Sequence, residues 1–127
     1  MLPVKPTSTT ILIIEDNRYT QRLLMKQLTF HGFSVTAKDD GTSGLEWLRE
    51  HQADIVVLDV ILPDSDGVEI CRQICQQYPG LRVLLLSALG TDSADRARGM
   101  EAGARDFMAK PYHIEELVAH LKALIEL

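Results

Sequence analysis

The chain has 127 residues, of which 46% are apolar, enough for one compact domain with a real core and too few for a sizeable second one. Thirteen Lys and Arg against eighteen Asp and Glu give a net charge of −5, which argues against nucleic-acid binding through the overall field. No apolar run reaches the roughly 18–20 residues that span a bilayer, and the two cysteines, four apart, are too few for a disulfide framework. They read as small buried residues, and the cytoplasm is the expected compartment.

Residues 1–9, with Pro3 and Pro6, read as a flexible lead-in without the apolar segment of a secretory signal. Strand-like runs follow at about 10–15, 33–37, 54–59, 82–87 and 105–109, with helical spacing between them. The first helix is capped by Asp16 or Asn17, turns Leu23, Leu24 and Leu28 inward, and ends near Gly32. The second covers Gly41 to Glu50, with Leu45 and Leu48 facing in. The third opens at Asp66-Gly67, carries Ile70, Cys71, Ile74 and Tyr78, and stops at Pro79-Gly80. The fourth, Ser93 to Ala102, is weakly apolar and closes at Gly103. The fifth places Ile114, Leu117, Val118, Leu121, Leu124 and Ile125 on one face.

Strands alternating with helices predict parallel pairing and right-handed crossovers. Runs one, three and four are continuously apolar, as in strands covered on both faces. The fold class predicted is therefore α/β, a doubly wound parallel sheet. In such sheets ligands bind beyond the carboxyl ends of the strands. At those ends stand Glu15-Asp16, Asp59, Ser87 and Lys110-Pro111, which makes three carboxylates, one hydroxyl and one amine at a single edge.

That set suits a divalent cation and a phosphoryl group. Mg²⁺ favours oxygen ligands and keeps several waters, so Glu15, Asp16 and Asp59 suffice to hold it. Three acids without a cation would repel one another. With positive charge present, a carboxylate can accept a phosphoryl group, Ser87 can donate to a phosphoryl oxygen, and Lys110 can pair with the new charge. Taken singly, each residue has a plainer reading: Asp16 as a helix cap, Asp64 and Asp66 as turn formers, Ser87 as a capping hydroxyl, Lys110 as a surface charge. Their joint placement favours the chemistry.

From about Thr10 to Leu127 the chain resembles a receiver domain of a two-component response regulator. The resemblance rests on Ile14-Glu15-Asp16-Asn17, on the run Asp59 to Gly67, on Leu86-Ser87-Ala88 and on Gly103 to Pro111, in order and at matching separations. It implies a flavodoxin-like fold, with a five-stranded sheet of order 2-1-3-4-5 and five helices on its two faces. It implies that Asp59 is the phosphoacceptor, fed by a sensor histidine kinase or phosphotransfer protein. Mg²⁺ would sit on Glu15, Asp16, Asp59 and the backbone carbonyl of Ile61. Ser87 and Phe107 would form the switch, Lys110 would meet the phosphate, and the bond before Pro111 would be cis. The output would be the surface of helix four, strand five and helix five, read by an effector domain or a target protein, with no direct nucleic-acid or membrane contact.

Two departures from that pattern carry expectations. Ile61 and Leu89, two residues beyond Asp59 and Ser87, cannot orient a hydrolytic water, so slow self-dephosphorylation is expected. Arg105 and His120 replace an acid and an arginine that build dimers in receivers joined to winged-helix domains, so a dimer of that kind is not expected. His113 and His120 read as surface residues. The competing reading is a pseudo-receiver, the same fold used as an interaction scaffold without phosphotransfer. A flavin carrier or an aspartate phosphatase fits less well: Glu15-Asp16-Asn17-Arg18 has the wrong charge for a phosphate loop, and Ile61 is not the second acid a phosphatase would commonly show.

Overall fold

The computed structural model describes residues 8–88 and 93–126. Ten elements alternate: β1 Thr10–Ile14, α1 Arg18–Phe30, β2 Ser34–Lys38, α2 Gly41–Glu50, β3 Ile55–Asp59, α3 Gly67–Gln77, β4 Arg82–Ser87, α4 Ser93–Ala102, β5 Asp106–Ala109 and α5 Ile114–Ile125. The strands form one parallel sheet in the order β2-β1-β3-β4-β5. The predicted α/β class, strand order and helix count are all observed, with strand boundaries displaced by a residue at most.

Successive strand residues point to opposite faces, so continuous apolar runs feed two cores. Leu12, Ile14, Val56, Leu58, Val83 and Leu85 meet Leu48 of α2, Ile70, Cys71 and Ile74 of α3 and Ala102 of α4. Ile11, Ile13, Ile55, Val57, Leu84 and Leu86 meet Leu24 and Leu28 of α1 and Leu117, Val118, Leu121 and Leu124 of α5. Each such Val, Leu or Ile side chain stabilises the fold by about 1.5–3 kcal/mol relative to exposure.

Local chemistry starts and stops the helices. Asn17 accepts from the Thr20 amide at the head of α1, Asp40 from Ser43 at α2, and Asp66 from Val68 at α3. The cap of α1 is thus Asn17 rather than Asp16. Gly32 and Gly103 adopt φ of 93° and 113°, the left-handed geometry that ends a helix.

Two side chains sit differently from expectation. Leu23 is exposed, because one residue's rotation about α1 carries it off the Leu24–Leu28 stripe. Ile125, the last residue of α5, is exposed. Leu45, half-buried, packs against the core as expected. Tyr78 lies just past α3 and packs on the core from there.

The weakness of α4 has a structural counterpart: only Gly99 and Ala102 of that helix are buried. Gly99 allows close approach, since a Cβ there would lie 2.5 Å from Leu85 Cδ1 and 3.6 Å from the Phe107 ring. No described helix is long and apolar enough to cross a membrane. The lead-in expected over residues 1–9 lies mostly outside the described residues.

Candidate functional site

The sheet order makes β1 and β3 neighbours while their connections leave to opposite sides, which opens a crevice at their carboxyl ends. Glu15 follows β1 and Asp59 ends β3. One ligand oxygen from each of Glu15, Asp16 and Asp59 falls within 4.8 Å of the others. Glu15 and Asp59 are buried and Asp16 is exposed, so the cluster has a closed floor and an open side.

Lys110 reaches in from the end of β5. Its Nζ lies 2.6 Å from Asp59 Oδ2 and 3.1 Å from Glu15 Oε1. Burial works against the ammonium, but the hydrogen bonds and charges of Asp59 and Glu15 outweigh it and hold Lys110 above its ordinary value. Burial raises the Glu15 carboxyl, the Asn17 amide and Lys110 offset part of that rise, and the charge of Asp59 adds to it. Glu15 and Asp59 thus share one amine, and with Asp16 they make a donor set of hard oxygens with charge to spare that fits Mg²⁺.

The backbone around Asp59 is tightly held. The Ile61 amide donates to Asp59 Oδ1 at 3.1 Å, and the Val60 amide to the Leu86 carbonyl. Gly67 donates to the Val60 carbonyl at 2.6 Å. A Cβ on Gly67 would collide with the Asp59 carbonyl oxygen and lie 2.7 Å from Val60 Cα, so only glycine fits. Ser87 is buried at the end of β4, and its carbonyl accepts from the Lys110 amide. The Lys110–Pro111 peptide bond is cis. Phe107 is buried in the core beneath α4, with the Arg96 guanidinium 6.0 Å from its ring centre.

The structure therefore brings Glu15, Asp16, Asp59 and Lys110 together, with Ser87 at the end of the strand beside Asp59. Ile61 projects its side chain outward, 71% exposed. Leu89 lies outside the described residues. His113 is exposed; His120 is half-buried and its Nδ1 meets Asp106 Oδ2.

Several neighbours escaped sequence reasoning. Asp64, read as a turn former, accepts from the amides of Gly41 and Thr42 and from the Thr42 hydroxyl, which ties the loop after β3 to the head of α2. The Thr42 hydroxyl, against the effect of burial and with the two amides and Ser65, holds its carboxyl far below the usual range. Asp66 Oδ2 meets Arg98 of α4 at 2.6 Å. Gln21 bridges the Glu15 carbonyl and Asp39. Tyr112 lies within the fields of Lys110, Glu15 and Asp59, its hydroxyl pushed up chiefly by burial. Only Tyr112 had a signal, its place two residues beyond Lys110.

The chain is 39% identical over 115 residues to the response regulator MprA of Mycobacterium sp. (strain KMS), covering 91% of this chain and 50% of MprA. It is 38% identical over 118 residues to MprA of Mycobacterium bovis (strain BCG / Pasteur 1173P2), 93% of this chain and 51% of the relative. The chain thus spans about half the length of these curated relatives. Among solved structures, the BeF₃-activated DrrB receiver domain is 33% identical with a TM-score of 0.86, covering 95% of this chain and 100% of its own. The signal receiver domain of a histidine kinase from Syntrophus aciditrophicus is 30% identical, TM-score 0.85, over 94% and 91%. A CheY-like receiver from Methanospirillum hungatei, at 22% identity, shares the fold with a TM-score of 0.89 over 94% and 96%. The response regulator receiver domain profile matches residues 11–122, and with these likenesses it shows that the chain belongs to the receiver domain family of two-component response regulators.

Proposed function

We propose that this domain is a phosphorylation-activated switch in which Asp59 accepts a phosphoryl group from a phosphohistidine on a sensor kinase or phosphotransfer protein. The observation that carries this reading is the pairing of Asp59 with Lys110 inside the three-carboxylate cluster. A scaffold needs neither a buried acceptor carboxylate nor an amine aimed at it. Glu15, Asp16, Asp59 and the carbonyl of Ile61 would hold Mg²⁺. Bound there, the ion offsets the repulsion between a carboxylate and an anionic phosphoryl donor.

The chain's own groups do the rest. A carboxylate oxygen of Asp59 attacks phosphorus; the P–O bond forms as the bond to the donor imidazole nitrogen breaks. Lys110 exchanges part of its contact with Asp59 for the new charge, and Ser87 donates to a phosphoryl oxygen. Phe107 and the α4–β5–α5 surface carry the event outward to an effector domain or target protein. Ile61 offers no group to orient water, so the phosphoryl bond is long-lived. Catalysis is confined to the domain's own phosphorylation and dephosphorylation. The compartment proposed is the cytoplasm.

Labelling by acetyl phosphate in the presence of Mg²⁺ tests the assignment. One phosphoryl group per chain is expected for the wild type and none for Asp59→Asn or after chelation. Beryllofluoride, the probe named for the similar DrrB structure, should perturb the wild type and not the variant. An unlabelled wild type would overturn the reading in favour of the scaffold.

A further inference from the structure

A second pair of reactive groups lies outside the acidic pocket. Cys71 and Cys75 are one turn apart on α3 with their sulfurs 4.0 Å from each other. Both are free thiols; Cys71 is fully buried and Cys75 is half-buried. Cys75 sits against the turn between α4 and β5. A Cβ on Gly103 would lie 2.8 Å from Cys75 Cβ and 2.9 Å from its sulfur, so the Gly103 backbone rests directly on this side chain. Packing alone asks for a small apolar residue at 75, and no thiol is needed for that.

We infer that Cys75 is a thiol-modification site: a peroxide oxidises it to the sulfenic acid, a low-molecular-weight thiol caps it, and the adduct displaces the turn joining α4 to β5. Buried Cys71 can donate its S–H to a Cys75 thiolate. That hydrogen bond first, against the effect of burial and with the positive charge of Arg105, brings the Cys75 thiol down to about 7 from an ordinary 9.0. Cys71 is shifted the opposite way, as befits the donor. A thiolate that is partly accessible and next to a cation is the form that reacts.

In the first step the thiolate sulfur attacks one peroxide oxygen; the S–O bond forms, the O–O bond breaks, and the peroxide is reduced to water or an alcohol. In the second, the sulfur of the small thiol attacks the sulfenic sulfur, an S–S bond forms, and the hydroxyl leaves as water with the thiol's proton. Cys71 does not take that role. Residues i and i+4 of a helix keep their Cβ atoms about 5–6 Å apart, beyond the roughly 3.5–4.5 Å of a disulfide.

An adduct on the Cys75 sulfur adds bulk where this half-buried side chain meets Gly103, and so displaces that turn together with α4, whose Gly99 packs on Leu85 and Phe107. The thiol chemistry is independent of the phosphoacceptor reading; any effect on phosphorylation rests on that reading.

The test treats the protein with hydrogen peroxide and dimedone, maps the adduct, and then follows glutathione capping by hydrogen exchange. One adduct is expected on Cys75 and none in Cys75→Ala. Cys71→Ala should slow the reaction at pH 7 by about fivefold or more, as the thiolate loses its donor, and Cys71→Ser, which keeps a donor, should restore it. Glutathione capping should speed exchange over residues 102–105. An adduct on Cys71, an internal disulfide, a rate indifferent to Cys71→Ala, or unchanged exchange at the turn would overturn the inference. None of these measurements uses phosphorylation, so a failure of Asp59 labelling would be seen separately.

Discussion

Lys110 Nζ stands 2.6 Å from Asp59 Oδ2, and these residues are 51 positions apart in the chain. The same amine is 3.1 Å from Glu15 Oε1. One cation therefore compensates two buried acids, and the two ends of the fold are pinned at one point.

Lys110→Met should therefore destabilise the domain. Removing one partner of a fully buried pair costs roughly 3–5 kcal/mol. The Lys110 side chain is 30% exposed, so about 2 kcal/mol is expected in urea denaturation at pH 7, with much of it recovered in excess Mg²⁺. Because the folded state holds Lys110 above its ordinary 10.5, its stabilisation is complete below that pH and is lost as pH rises through the higher folded value. The wild type should thus lose stability above pH 10.5 more steeply than the variant. Parallel profiles would show that the amine contributes nothing.

Glu15→Gln should act in the opposite direction. Burial holds the Glu15 carboxyl above its ordinary 4.5, so this group favours the folded state only at low pH, and that contribution is lost as pH rises through its folded value. The amide removes a buried charge and still accepts from the Asn17 amide, now 3.1 Å away. A gain of about 1 kcal/mol at pH 7 without divalent cation is expected, together with a smaller rise in Tm on adding Mg²⁺. A variant less stable than wild type, with its Mg²⁺ response intact, would show that Glu15 is a structural partner of Lys110 and no part of a cation site.

Much of this pocket was legible in the sequence because strand position alone fixes where a residue emerges. Apolar runs ending in Glu15-Asp16, Asp59, Ser87 and Lys110 must deliver those groups to one edge once the strands are parallel. What stayed hidden are contacts with no period. Asp64 and Asp66 carry turn chemistry in any sequence, and nothing local says that Asp64 reaches Thr42 or that Asp66 reaches Arg98, 22 and 32 residues away. Leu23 was misplaced because a cluster of adjacent leucines does not say which of them leads the stripe. The packing of α4 was invisible because it works through two small residues, Gly99 and Ala102, and not through large apolar side chains.

Two glycines close together in the chain should respond very differently to the same substitution. A methyl on Gly67 would be driven into the backbone of Asp59 and Val60, neither of which can give way without disturbing the acceptor. Gly67→Ala should cost about 3 kcal/mol or more and reduce Mg²⁺-dependent stabilisation. At Gly80 a Cβ meets nothing within 4 Å and φ is not left-handed, so Gly80→Ala should change stability by about 0.5 kcal/mol at most. Equal effects in thermal denaturation would mean that the approach of Gly67 to Asp59 is not tight.

Arg98 of α4 forms an ion pair with Asp66, the residue that caps the N-terminus of α3. Its partner is depressed despite some burial, chiefly by the Arg98 hydrogen bond and by the Val68 amide. Both side chains are about half exposed, so Arg98→Ala should leave global stability almost unchanged. Its local effect should be larger, because α4 has little apolar surface to hold it once the bridge is gone. Hydrogen exchange in α4 should quicken several-fold while β1, β3 and β4 keep their protection. In the proposed switch the bridge restrains the output helix from the loop beside Asp59, so the same variant should show a beryllofluoride-induced change in α4 at lower occupancy of the pocket. Unchanged exchange in α4 would mean that Gly99 packing, and not this bridge, fixes the helix.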